Sequence, residues 1–362
     1  MTLRPVINYS NGLHVKQLDA IRGWAIFLVL LLHFYAEHVR ILGIGRMGVD
    51  LFFVLSGFLI TGILLDTKDK PGYFRNFYVK RILRIFPVYF FVLALILYVI
   101  PVIFINAVPN IKYYLQHQAW FWLYLQNWLF SIDGYPADWV LMHTWSLCIE
   151  EQFYMFFPLL VYKLNTKNLL RVLIFFIIAA NVLRLIHIEG INSNYKYVNT
   201  FARLDTISVG ALIAVLVRTN REVLEKYTSY VMIFALVSLV IMIGFNKGGS
   251  FQDFYSSFTF FALFFGSVVV WSMSSNIPGI FKPAVNSRLM MFLGKYSYGI
   301  YLYHAAIHFM FTKTLLDHFH AVSTPSVLLV KTGILLFSIG ISVLSFHLLE
   351  LPFLRLKKKF VI

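Results

Sequence analysis

Apolar residues arrive in this chain in runs long enough to cross a bilayer, repeated along its 362 residues. A spanning helix needs roughly 20 predominantly apolar residues. The runs read as spanning helices at about 20–38, 48–65, 86–105, 146–162, 169–187, 204–217, 229–245, 254–272, 292–311 and 327–349. The chain is 59% hydrophobic and only 13% charged, with a mean hydropathy of +0.75, whereas a soluble domain is nearer half apolar. That leaves too little charge to solvate a globule of this length. The expected fold is therefore all-α, a polytopic integral membrane protein with about ten transmembrane helices. Residues 1–362 are expected to form one membrane domain with no fused soluble domain.

An even number of spans puts both termini on one side, and loop charge says which. With the N-terminus cytoplasmic, the inside segments hold Lys68, Lys70, Arg75, Lys163, Lys167, Arg218, Arg221, Lys226, Arg355 and Lys357 to Lys359, among others. The outside loops hold a smaller set: Arg40, Arg46, Lys112, Lys196, Arg203, Lys247 and Lys313. The bias predicts both termini cytoplasmic. The same placement explains the net charge of +15 without nucleic acid, because the basic residues sit in short loops between apolar runs. The lone Cys148 excludes an intrachain disulfide. The first run lacks a small-residue cleavage site behind it and is expected to remain as the first membrane helix. Residues 119–130 (AWFWLYLQNWLF) are too short to span, and Trp120, Trp122, Tyr124 and Trp128 suit the headgroup zone. A re-entrant or interfacial helix on the outer side is expected there.

Charge inside a membrane helix costs roughly 2.5–3.5 kcal/mol at the helix centre, so each such residue is a functional candidate. Arg22 and His33 are eleven positions apart on the first run, about 16 Å of rise and about 20° of offset, hence on one face. Taken alone, Arg22 reads as a snorkelling cation and His33 as a packed imidazole. A neutral imidazole can also accept a hydroxyl proton. Asp50, Ser56 and Gly57 lie on the second run, where the carboxylate suits a helix start and the small residues suit close packing. Lys80, Arg81 and Arg84 cluster where the chain enters the third run. Arg81 and Arg84 share a face, and forked guanidinium groups bind phosphate. Glu150 and Glu151 sit about one turn into the fourth run, close to Ser146. They point about 100° apart, so at least one must face a polar cavity or partner. Arg203 and Asp205 suit a pair at the start of the sixth run. Tyr298, Tyr301 and His304 drift slowly around one face of the ninth, as a cavity lining or a packed stripe. Glu350 closes the tenth, facing the terminal basic cluster or the inner interface.

In order along the chain, LDAIRGWAIFLVLLLHF, GVDLFFVLSGFLI, FYVKRILRIFPVY, HTWSLCIEEQFY, RLDTISVGAL, GKYSYGIYLYH and LELP resemble the successive blocks of acyltransferase family 3, the membrane O-acyltransferases. The resemblance runs from residue 18 to residue 352. It implies transfer of an acyl group, most simply acetyl, from cytoplasmic acetyl-CoA to a hydroxyl of a cell-surface or lipid-linked carbohydrate. It also implies residence in a bacterial inner membrane and requires no metal. It gives Arg22 and His33 the family's catalytic Arg-x10-His pair, Arg81 and Arg84 its Arg-x-x-Arg donor element, and Glu150 its conserved-block glutamate. Tyr298, Tyr301 and His304 fit its Ser-Tyr-x-x-Tyr-x-x-His block. His33 would act as general base or become acylated, with Glu150 or Glu151 orienting it. The acidic and imidazole groups also suit a proton-coupled transporter. No hydrolase-like domain is expected after the last helix, and a separate extracytoplasmic transferase is a candidate partner.

Overall fold

The computed structural model describes residues 16–104, 108, 110–189, 191–245, 257–274, 277, 279–320 and 323–356. Among them there are helices and turns and no strand. Lys247 and Lys357 to Lys359 lie outside the described residues.

Each apolar run coincides with a helix. These are α1 (Lys16–Tyr35), α2 (Met47–Thr67) and α3 (Tyr73–Ala94), then the short α4 (Gln118–Trp122) and α5 (Gln126–Ile132). There follow α6 (Trp145–Lys163), α7 (Thr166–Leu185), α8 (Thr200–Thr219), α9 (Arg221–Phe245), α10 (Phe258–Ser272), α11 (Arg288–His318) and α12 (Thr324–Ser345). Among the described residues, seven helical stretches are long and apolar enough to cross a membrane, those containing α1, α2, α3, α7, α8, α9 and α12. The protein is thus built as a multi-pass membrane protein. The other three expected spans differ for visible reasons. α6 carries Glu150, Glu151 and Gln152, α11 carries Lys295, His304 and His308, and α10 is 15 residues long.

Two expectations change in form. The third helix begins at Tyr73 rather than near 86, so Lys80, Arg81 and Arg84 lie within it. Tyr73, Phe77, Ile85, Val88, Tyr89 and Val92 are buried at helical spacing, and that face extends the helix past its charged residues. Segment 119–130 is two short helices rather than one. Tyr124 has φ 55° between them, and its ring stacks on Tyr89 at 4.1 Å. The second short helix is anchored by buried amides. Gln126 donates to Tyr89 Oη at 3.0 Å and Thr144 Oγ1 at 2.9 Å, and Asn127 donates to Thr200 Oγ1 at 2.9 Å.

Two close crossings hold the bundle. A Cβ at Gly23 would collide with the Met290 backbone, and one at Gly294 with the Asp19 backbone, so α1 and α11 meet almost main chain to main chain. Gly57 against Ile207 and Gly210 against Val54 do the same for α2 and α8. α7 packs along α8, and α12 along α11.

Ion pairs, two of them buried and one partly buried, tie these helices together. Arg203 does not pair with Asp205. Two positions apart on a helix, they point about 200° apart and meet different neighbours. Arg203 bonds Asp50 of α2, with its guanidinium 3.7 Å over the Phe258 ring. Asp205 accepts from Arg184 at 2.8 Å and from Thr259 at 2.6 Å. Arg218 grips Asp66 with two bonds of 2.7 and 2.8 Å.

Candidate active site

A polar cavity of about 100 Å³ lies where α1, α2, α3, α6 and α11 converge. Arg22, Ser56, Arg81, Arg84, Ser146, Glu150, Glu151, Tyr154, Ser297, Tyr298 and Tyr301 line it, with Val49, Phe52, Phe53, Ile85 and Leu147 between them. The sequence predicts eight of these polar residues at sites: Arg22, Arg81, Arg84, Ser146, Glu150, Glu151, Tyr298 and Tyr301. Asp50, Arg203, Lys80, His33 and His304 are not among the lining residues. Asp50 and Arg203 neutralise each other in the scaffold, and Lys80 points about 100° away from Arg81.

Glu150 is the best-held group in the cavity. Ser56 Oγ donates to its Oε1 at 2.6 Å, and Tyr154 Oη donates to its Oε2 at 3.1 Å. Tyr154 stands one helical turn beyond Glu150, so α6 supplies both partners of that bond. The Arg81 guanidinium lies 4.2 Å over the Tyr154 ring, and its buried Nε–H has no hydrogen-bond partner among the described residues. Arg22 reaches back to Asp19 at 3.4 Å. Three guanidinium groups therefore face two carboxylates across a small space. The free Arg81 N–H and the positive excess fit an anionic or electron-rich ligand.

Hydroxyl and imidazole groups close the other end. Tyr301 Oη donates to the His143 carbonyl at 2.7 Å, so the Ser146 hydroxyl donates to Tyr301 across 2.6 Å. Tyr298 Oη donates to the Ile85 carbonyl at 2.7 Å. Beyond Tyr301 lies His304, fully buried, with Nδ1 2.9 Å from the Ile300 carbonyl and 2.8 Å from the Tyr301 carbonyl. His304 Nε2 meets His33 Nδ1 at 2.7 Å, and the two rings are parallel within 7°. The His143 ring is 5.2 Å from that of His304. His33 itself is half-buried. Its ring is therefore bonded to His304, whereas Glu150 is bonded to Ser56 and Tyr154.

A second space adjoins the first. An apolar groove of about 1050 Å³ runs between α3, α4, α5, α6 and α7, walled by Phe86, Phe90, Trp122, Leu160, Phe176 and Leu183. Arg81, Glu151 and Tyr154 line both the groove and the cavity. Glu150 and Glu151 thus divide as their 100° separation requires. Both reach the cavity, and Glu151 also faces the groove.

Reading the sequence alone misses Tyr154, His143 and Arg184. Tyr154 is signalled by its i, i+4 relation to Glu150, and His143 by its place at the head of HTWSL. Ser56, which the sequence assigns to packing, is a partner of Glu150. Among the described residues no cluster of three or more His, Cys, Asp or Glu is placed to hold a metal ion.

Half-buried carboxylates and guanidinium groups around one cavity, with a paired imidazole beyond its Tyr301 end, are the equipment of a group-transfer enzyme. Residues 15–347 match the family model described as an acyltransferase domain, and the chain belongs to that acyltransferase family. This membership favours transfer chemistry over the transporter alternative. The chain is 27% identical over 313 residues to O-acetyltransferase OatA of Staphylococcus aureus (strain NCTC 8325 / PS 47), covering 81% of this chain and 50% of the relative. It is 29% identical over 332 residues to peptidoglycan O-acetyltransferase OatA of Listeria monocytogenes, covering 86% and 52%. The chain spans about half the length of these relatives. No solved structure matches it.

Proposed function

We propose that this protein is a membrane O-acetyltransferase that moves an acetyl group from cytoplasmic acetyl-CoA to a hydroxyl of a cell-envelope carbohydrate. It would reside in a bacterial cytoplasmic membrane as ten spans with both termini inside. The observation that carries the reading is the convergence of Arg22, Arg81, Arg84 and Glu150 on one cavity, in a chain of the acyltransferase family. The names of the relatives support acetyl as the group and a carbohydrate polymer as the acceptor class.

Acyl transfer to a hydroxyl needs a base, donors for the developing oxyanion, and a hold on the donor. Acetyl-CoA supplies the thioester, and its charge suits Arg81 and Arg84, which stand roughly 12 and 16 Å along α3 from its Tyr73 end. His33 takes the proton of the acceptor hydroxyl as its oxygen bonds the acyl carbon and the carbon–sulfur bond breaks. The proton then goes to the departing thiolate. Glu150 holds Ser56 and Tyr154 in place beside Arg81. The apolar groove, sharing Arg81 and Glu151 with the cavity, favours an acceptor carried on a lipid tail.

One observation favours a second division of labour. Glu150 lines the cavity and His33 does not, which would make Glu150 the base. Vesicles carrying wild type, His33→Ala or Glu150→Gln at matched membrane levels, supplied with labelled acetyl-CoA, test both. Label in the glycan lost with His33→Ala supports the first reading. Full labelling by that variant removes His33 from the chemistry.

A further inference from the structure

The His33–His304 contact fixes more than a position. His304 Nδ1 lies within 2.9 Å of two carbonyl oxygens, those of Ile300 and Tyr301. Carbonyl oxygens only accept, so Nδ1 of His304 carries a hydrogen. Among the described residues neither His33 nor His304 forms an ion pair with a carboxylate, and an unpaired imidazolium kept out of water inside the bundle is costly. Both rings are therefore neutral at rest. Neutral His304 has a lone pair on Nε2, and the 2.7 Å contact requires His33 Nδ1 to donate to it. His33 Nε2 is then left with its lone pair, and it makes no hydrogen bond to any described residue.

We infer that His304 is a positioning residue that holds His33 as the Nδ1–H tautomer, so that Nε2 of His33 is the atom that receives the acceptor's proton. The inference deepens the proposed function and rests on its assignment of His33 as base. When the hydroxyl proton reaches Nε2, the cation formed on His33 is shared along the Nδ1–H···Nε2 bond. His304 can accommodate it because the two carbonyl oxygens already face its Nδ1–H. The proton leaves by the way it came, from Nε2 to the thiolate. This places an imidazole where a carboxylate orients the base in many hydrolases, and it gives the closing histidine of the GKYSYGIYLYH block a defined task.

The test uses the full-length protein in lipid, labelled with ¹⁵N-histidine, with the His33 signals assigned by their loss in His33→Ala. In the wild type, His33 should show a protonated Nδ1 and an unprotonated Nε2. In His304→Phe, which keeps a ring but removes the acceptor, that preference should collapse. Acetyl transfer should then fall by roughly 100-fold or more, with the KM for acetyl-CoA unchanged. His304→Gln, whose side-chain oxygen still accepts from Nδ1–H, should restore both the tautomer and most of the rate. The inference is overturned if wild-type His33 carries its hydrogen on Nε2. It is also overturned if His304→Phe transfers at the wild-type rate, or loses activity with its tautomer unchanged. Failure of the parent reading looks different: His33→Ala would still acetylate.

Discussion

Removing Arg203 should unfold this protein far more readily than removing Arg203 and its partner together. The Arg203 and Asp50 side chains are 1% and 4% exposed and bond one another across α8 and α2. Arg203→Met leaves the Asp50 carboxylate buried without its cation, a loss of about 3–5 kcal/mol. It also removes a guanidinium lying 3.7 Å over Phe258, a contact worth about 2 kcal/mol when desolvated. In Asp50→Leu/Arg203→Met the stranded charge disappears and only the ring contact is missing. The double variant should then stand about 2 kcal/mol below wild type, about 3–5 kcal/mol more stable than Arg203→Met. Unfolding by graded SDS in mixed micelles, followed by tryptophan fluorescence, measures both. Because neither residue lines the cavity, the double variant should keep its acetyl transfer at matched membrane levels. A single variant within about 1 kcal/mol of wild type, or a double variant as unstable as the single, would refute the scaffold reading.

Four shorter expectations accompany it. Ser56→Ala deletes a 2.6 Å bond to a carboxylate, worth about 1.5–3 kcal/mol, so transfer in vesicles should fall about tenfold or more; an unchanged rate would leave Glu150 without a catalytic setting. Arg84→Ala should weaken CoA binding to purified protein by about tenfold, the loss of one charge-assisted contact, and calorimetry showing equal affinity would remove Arg84 from donor binding. Ala179→Trp fills the groove that Ala179 lines; glycan labelling should drop while CoA affinity holds, and normal labelling would clear the groove of any acceptor role. Gly57→Val drives a side chain into the Ile207 backbone and should destabilise by about 2 kcal/mol or more, whereas Gly333→Ala, which meets no atom within 4 Å, should be neutral by the same SDS titration.

The sequence alone revealed the helices and most of the cavity wall because both are local properties. Apolar runs mark the bundle, and a charge inside such a run marks a residue that needs a polar neighbour. Arg22, Arg81, Arg84, Glu150 and Glu151 were legible on that ground. Their partners were not, because pairing depends on which helices touch. His33 and His304 are 271 positions apart, and only the glycine crossing of α1 on α11 brings them together. Arg203 beside Asp205 looked like a local pair, yet helical geometry sends them to separate neighbours 153 and 21 positions away. The start of α3 was obscured because Lys80, Arg81 and Arg84 broke the apolar run, although the buried face continues beneath them.

The wall common to the groove and the cavity has a kinetic consequence. If the acceptor is the lipid-borne one proposed above, sliding along Phe86 and Leu160 to Arg81 would keep it within the two-dimensional film, and its supply would be counted in molecules per unit of bilayer. Spreading the same number of acceptors through more inert phospholipid should slow acetylation, while enlarging the aqueous volume around the vesicles should leave acceptor saturation as it was.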